Sequence, residues 1–310
     1  MEVTPPEPAV PAFKTQSLVL EGRIGVNFYL DLPEIDGVNY DESYMTFAIT
    51  GAGDVTARDD FDASAMNGSH TYYAFTCYVN SLQMADTITA TFHYGDGLTI
   101  EKSYSVKDYF TGYDDKVAQN PNAYSAEIRA LIRAVADFGH HAQAFLAEKN
   151  NLTLGTDYAE MTKCYTSSYD AETIDAIKDA VADHKIVREK SADMGEITFS
   201  LVLDSATAIR VFFTPVSGYT GPVTATLDGS AITPNLVNGR YVIEITDIPA
   251  HELRTKHTIV VHTDSGDSRV TLSALSYVQI LLERYTDSVT QNAAAAIYFY
   301  AKCAGDVWES

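Results

Sequence analysis

The chain is predicted to be an α+β protein made of two diverged copies of an antiparallel β-sandwich-like unit followed by a helical hairpin, with the helices packed as a bundle. Three observations predict this. The apolar period switches from that of strands to that of helices partway along the chain. The same order, strands and then helices, starts again in the second half. Tight-turn residues, Gly95-Asp96-Gly97 and Asn238-Gly239, join successive strand patterns as hairpins require.

Residues 1–13 read as a Pro/Glu linker, not as a charged-then-apolar leader, so the chain is expected to be one segment of a longer protein. Residues 14–148 form the first repeat. Ser17 to Leu32 is an apolar-rich strand pattern, followed by Tyr44 to Thr50, His70 to Val79 and Asp86 to Tyr94. After the Gly95-Asp96-Gly97 turn, Leu98 to Tyr104 returns as the paired strand. Val106 to Val117 reads as a helix. A longer helix runs from about Tyr124 to Glu148, with Ile128, Leu131, Ile132, Val135, Phe138, Ala142 and Phe145 at the spacing of one helix face. Gly139 within it suits close approach of a second helix. Residues 149–195 connect the halves and include a charged helix from Ala171 to Lys185. Residues 196–310 form the second repeat.

The second repeat replays the first in order. Leu201 to Leu203 followed by Ala208 to Phe213 echoes Leu18 to Leu20 followed by Ile24 to Tyr29. Tyr241 onward echoes Tyr73 onward, and Ser276 is matched to Ser105 at a helix entry. Val289, Ala293, Ala296, Tyr300 and Ala304 repeat the long helix's stripe. Leu201 lies 183 positions after Leu18 but Tyr241 only 168 after Tyr73, so the first copy is 15 residues longer between them. It is longer again before Phe138. The extra residues fall around Gly51 to Ser69 and Gly112 to Asn122. Binding residues concentrate on loops, so Asp59, Asp60, Phe61, Tyr113, Asp114 and Asp115 are the candidate ligand-binding residues.

The formal charge is −21, from 21 basic and 42 acidic residues. Such a surface repels phosphate backbones and anionic lipid, so nucleic acid is excluded as a partner. No stretch approaches the ~20 apolar residues of a membrane span, so no membrane insertion is expected. Cys77, Cys164 and Cys303 show no metal-site spacing; Cys77 and Cys303 are expected as buried free thiols. Twenty tyrosines accompany one tryptophan, Trp308. Tyr73, Tyr78 and Tyr104 read as strand packing, whereas Tyr40, Tyr44, Tyr113 and Tyr219 fall in or beside loops.

The chemistry-bearing patterns are sparse. Adjacent His140 and His141 point about 100° apart on a helix and cannot share a metal, while Asp137 and His141 share a face and are expected to form a surface hydrogen bond or ion pair. Asp59, Asp60 and Asp62 lack the spacing of a calcium loop. The nucleophile elbow, the phosphate-binding glycine loops and HExxH do not occur. No catalytic residue, metal ligand or cofactor is assigned, and the chain is expected not to be an enzyme.

Three segments carry a resemblance: Leu20 to Tyr29 with its IGVNFY strand, Ala134 to Gln143, and Leu272 to Tyr277. They resemble a module found in large secreted or wall-attached proteins of gut Firmicutes. The resemblance implies an extracellular or cell wall-attached location, within a larger multidomain chain, as a monomer. It also implies a host-protein partner, best an immunoglobulin heavy-chain variable domain bound in superantigen fashion. The alternatives are a carbohydrate-binding or cellulosome-associated module and a structural spacer.

Overall fold

In chain order the first half supplies β1 (Ala12–Val19), β2 (Gly25–Asp31), β3 (Tyr44–Ile49), β4 (Thr56–Asp60), β5 (Tyr72–Tyr78), β6 (Ile88–Tyr94), β7 (Leu98–Tyr104), α1 (Val106–Gln119) and α2 (Ala126–Asn150). These bounds come from a computed structural model that describes residues 10–19, 23–50, 56–62, 72–150, 166, 168–203 and 207–308. Alternation makes the strands two-faced. Along β2, Val26, Phe28 and Leu30 are fully buried and the residues between them are half-buried. β6 does the same with Ile88, Ala90, Phe92 and Tyr94.

Two antiparallel sheets result, in the orders β1-β2-β5 and β4-β3-β6-β7. Their inner faces meet through aromatic rings. Phe28 of β2 lies 5.8 Å from Phe47 of β3, and Phe75 of β5 lies 5.5 Å from Phe92 of β6. The aromatic pairs fix the two layers face to face.

Ser17 to Leu32 is not one strand. β1 begins at Ala12, inside the expected linker, and folds back on β2 with Ala12 opposite Asp31 and Val19 opposite Gly25. A single strand of that length would run roughly 50 Å, at about 3.3 Å per residue. That is far longer than the seven-residue β5 on its other side. The expected loop from Gly51 to Ser69 contains β4, which pairs with β3 from Tyr44/Asp60 to Ala48/Thr56. Its sequence, Thr-Ala-Arg-Asp-Asp, has no apolar alternation because it is an edge strand, with Arg58 and Asp60 exposed. Residues 51–55 and 63–69 of that loop lie outside the described residues.

The second half supplies α3 (Ala171–Ala180), β8 (Val187–Glu189), β9 (Met194–Leu203), β10 (Thr207–Pro215), β11 (Thr224–Leu227), β12 (Ser230–Ile232), β13 (Asn235–Val237), β14 (Arg240–Ile248), β15 (His257–Thr263), β16 (Gly266–Leu272), α4 (Ala274–Arg284) and α5 (Ser288–Trp308). The α+β class holds, with four antiparallel sheets and five α-helices among the described residues. The two sheets here run β13-β14-β10-β9 and β12-β11-β15-β16-β8. The β13–β14 turn forms where expected: Asn238 and Gly239 take φ of 50° and 76°, the left-handed pair of a tight hairpin.

The helix entry matched to Ser105 is corrected. Ser105 caps α1, its hydroxyl accepting the Asp108 N–H at 2.9 Å. The equivalent cap on α4 is Ser273, three residues before Ser276. Ser276 instead accepts the Ser273 N–H at 2.9 Å and donates to the His184 carbonyl at 2.6 Å. Serines at both positions made the register ambiguous in sequence.

α5 packs along α2. Ala293 to Ala296 are all buried in that helix, and Phe138 of α2 lies 5.2 Å from Tyr300. Small side chains let the axes approach closely. The buried residues of both halves form one continuous hydrophobic cluster. Cys77 is a buried free thiol, pushed up to about 12 by burial; Cys303 is a half-buried free thiol. Cys164 lies outside the described residues. No described helix is long and apolar enough to cross a membrane.

Gly25 sits where two strands come close. A Cβ there would stand 2.6 Å from the Cys77 carbonyl oxygen, a backbone atom that cannot swing away. We expect Gly25→Ala to cost about 1–3 kcal/mol through strand displacement, read as a lowered urea midpoint with an unchanged m-value.

Candidate functional site

The six sequence-predicted residues fall into two groups, one on and just after β4 and the other on α1. Asp59 and Asp60 lie on β4, the edge strand, not in a loop. Asp59 Oδ2 accepts the Thr76 N–H of β5 at 3.0 Å, so this carboxylate ties one sheet to the other. Burial raises its pKa, against the pull of that hydrogen bond. Asp60 pairs with Arg58 at 2.6 Å, and Arg58 in turn lies 3.7 Å over the Tyr44 ring. Phe61 is half-buried against Tyr73, ring centroids 4.8 Å apart. These side chains hold the edge of the sandwich.

Tyr113, Asp114 and Asp115 lie on α1, which follows the opposite edge strand β7 and stays helical to Gln119. The region is therefore a longer helix and not a longer loop, because Gly112 faces open space and does not interrupt the turn. Tyr113 is buried against Tyr124, 5.2 Å between rings; Asp115 is exposed. Among the other tyrosines, Tyr73 packs inside as expected. Tyr78 does not: it is 43% exposed and carries the Arg23 guanidinium at 5.1 Å.

Asp137 and His141 share a face of α2 as expected, but that face is interior, and they do not bond to each other. Asp137 Oδ1 accepts the Thr166 N–H at 2.5 Å and Oδ2 accepts the Tyr169 hydroxyl at 3.0 Å. His141 Nε2 lies 2.8 Å from the Thr166 carbonyl, which can only accept, so Nε2 carries the proton. The pair thus grips one residue, Thr166, by both its N–H and its C=O. Tyr169 continues the tie to α5: its N–H donates to Asn292 Oδ1 at 3.0 Å, and its ring stacks on Phe299 at 5.4 Å. Burial raises the Asp137 pKa, opposed by the bonds from Thr166 and Tyr169. Burial lowers His141 and holds His140 down to about 4. Among the described residues no group of three or more His, Cys, Asp or Glu converges as a metal site would.

The solvent-facing hollows are chemically different. One, of about 430 Å³, lies between the edge of β9, the helix α4 and the short strand β8. Arg188, Arg284, Tyr277, Tyr285 and Phe199 line it, with Glu196 as the one carboxylate. The Arg188 guanidinium lies 5.9 Å over the Phe199 ring, and burial, then the nearby Arg284, pull its pKa down. A second hollow of about 380 Å³ separates α1 from α2, lined by Tyr113, Val117, Arg129 and Arg133. A third of about 360 Å³ sits between α3 and α5, beside Phe299 and Lys302. Sequence reasoning found Tyr113 but missed Arg188 and Arg284. One lies in the connecting segment and the other ends a helix, so no local pattern relates them.

No family model matches the chain, and no curated protein matches it.

Removing the Asp137 carboxylate leaves the Thr166 N–H and the Tyr169 hydroxyl without their acceptor. Asp137→Ala should cost about 1–3 kcal/mol in urea unfolding. The lowered histidines set the sign of the pH dependence. The unfolded chain takes up protons near the ordinary His value of 6.5, before the fold does. Stability is therefore fully present above that value and falls as pH drops from 6.5 towards about 4. Asp137 acts oppositely lower down, gaining stability as pH falls through its raised folded value. The urea midpoint should be lower at about pH 5 than at neutrality, and His140→Gln should narrow that gap; an unchanged gap would count against His140 as a source.

Proposed function

We propose that this chain is a non-catalytic binding module of a bacterial surface or secreted protein, and that it engages a host protein, with immunoglobulin heavy-chain variable domains as the sharpest candidate. One observation carries the reading. Two solvent-facing hollows, of about 430 and 380 Å³, each combine tyrosine with a pair of arginines, in a chain with only 21 basic residues. Tyrosine and arginine are the side chains that dominate protein interfaces, one by contact area and the other by forked hydrogen bonding. The buried Asp137 and His141, by contrast, are engaged with the backbone of Thr166, which suits a role in holding the fold.

The reading includes two diverged copies. Strand order supports it: β1-β2-β5 corresponds to β9-β10-β14, and β4-β3-β6-β7 to β12-β11-β15-β16. Each set is followed by a serine-capped helix and a longer one. Contact between α2 and α5 supports a helical layer shared by both copies. An extracellular or wall-attached setting is part of the same proposal, resting on the IGVNFY-type resemblance.

Biolayer interferometry against antibodies sorted by heavy-chain variable family tests the reading. Binding confined to one or a few families is expected. Flat traces across every family would end the immunoglobulin assignment.

A further inference from the structure

We propose that the free edge of β9, overlooked by Arg188 and Arg284, is a docking groove for an extended acidic peptide segment that pairs as an added strand. This deepens the reading of the chain as a binding module and rests on it.

The position of the hollow is the first argument. It is touched by Glu196, Ile197, Thr198 and Phe199, four consecutive residues of β9. Successive strand side chains point to opposite faces. A hollow lying over one face would meet only alternate residues, so this one runs along the strand's edge. β9 ends its sheet: β10 pairs with one side, from Thr207/Leu203 to Pro215/Met194, and no strand among the described residues lies beyond the other. In an antiparallel ladder alternate residues direct both N–H and C=O outward. Just before the groove, the Gly195 carbonyl is already served from outside the ladder by Lys190 Nζ, at 2.6 Å. An extended peptide would supply partners to the next positions.

Charge identifies the occupant. Neither Arg188 nor Arg284 makes an ion pair among the described residues. They lie close enough that Arg284 lowers the pKa of Arg188. Two guanidiniums left facing one hollow, in a chain of net charge −21, make a local positive site in a negative surface. Carboxylates fit the guanidinium fork in paired hydrogen bonds. Phe199, Tyr277 and Tyr285 give the apolar wall against which the peptide's other side chains would rest. Glu196 repels acid at its own end, which biases the acidic residues towards Arg284.

Fluorescence anisotropy on the full chain tests this with a labelled alternating Glu-Val octapeptide. The controls are an alternating Lys-Val octapeptide, a Glu-Val peptide N-methylated at every second residue, and free glutarate as competitor. We expect the Glu-Val peptide alone to bind. We expect Arg188→Glu with Arg284→Glu, and separately peptide N-methylation, to weaken it by about tenfold or more. The N-methylated arm leaves the protein untouched, so it stands even if the double variant misfolds. Absence of Glu-Val binding, equal binding by the N-methylated peptide, or full competition by glutarate at equal concentration would overturn the groove. The same double variant run on the antibody panel separates the two readings. Peptide failure with antibody binding intact removes only the groove, whereas a flat panel removes only the immunoglobulin assignment.

Discussion

Contact between α2 and α5 is the constraint on which the rest of the molecule depends. Each half ends in a long helix with one strongly apolar face, and neither face can be left in water. Phe138, Tyr300 and the alanines from Ala293 to Ala296 are buried in this contact region. Buried residues of both halves belong to a single hydrophobic cluster, so the halves are not independent units linked by chain. The alanines matter as much as the rings: small side chains bring the helices near enough for the aromatic pair to meet.

Thr166 and Tyr169 lie against α2 and α5, where their backbone groups need partners. Asp137 and His141 supply them by taking the N–H and the C=O of the same residue, Thr166, while Tyr169 bridges onward to Asn292 and Phe299. A buried carboxylate and imidazole are costly to desolvate. Here the desolvation is offset by bonds to groups that would otherwise be unsatisfied.

Sheet edges explain where the surface is open. β4 guards its edge with the Arg58–Asp60 pair, and β8, β12 and β13 are each three residues long. Short or charged edges discourage further pairing. β9 is the longest of the remaining edge strands, ten residues facing a hollow with aromatic walls and two guanidiniums. The opening is confined by α4, so it admits a narrow segment more readily than a second sheet.

Much of the framework was legible in sequence because it depends on local periodicity. The alternation in β6, the Gly95-Asp96-Gly97 and Asn238-Gly239 turns and the stripe of α2 each report their own conformation. β4 was not legible, since a charged edge strand owes its form to β3 and not to its own pattern. Sequence did not single out Ser273 as the cap of α4, because two serines, Ser273 and Ser276, serve that helix entry. Sequence alone determined the alternating strand pattern, the amphipathic helices and the acidic surface, all properties of residues near one another in the chain. Only tertiary structure decided which face of α2 is interior, which strand edge stays open, and that Arg188 meets Arg284. Those depend on burial and contact between residues far apart in sequence, and no periodicity encodes distance across a core.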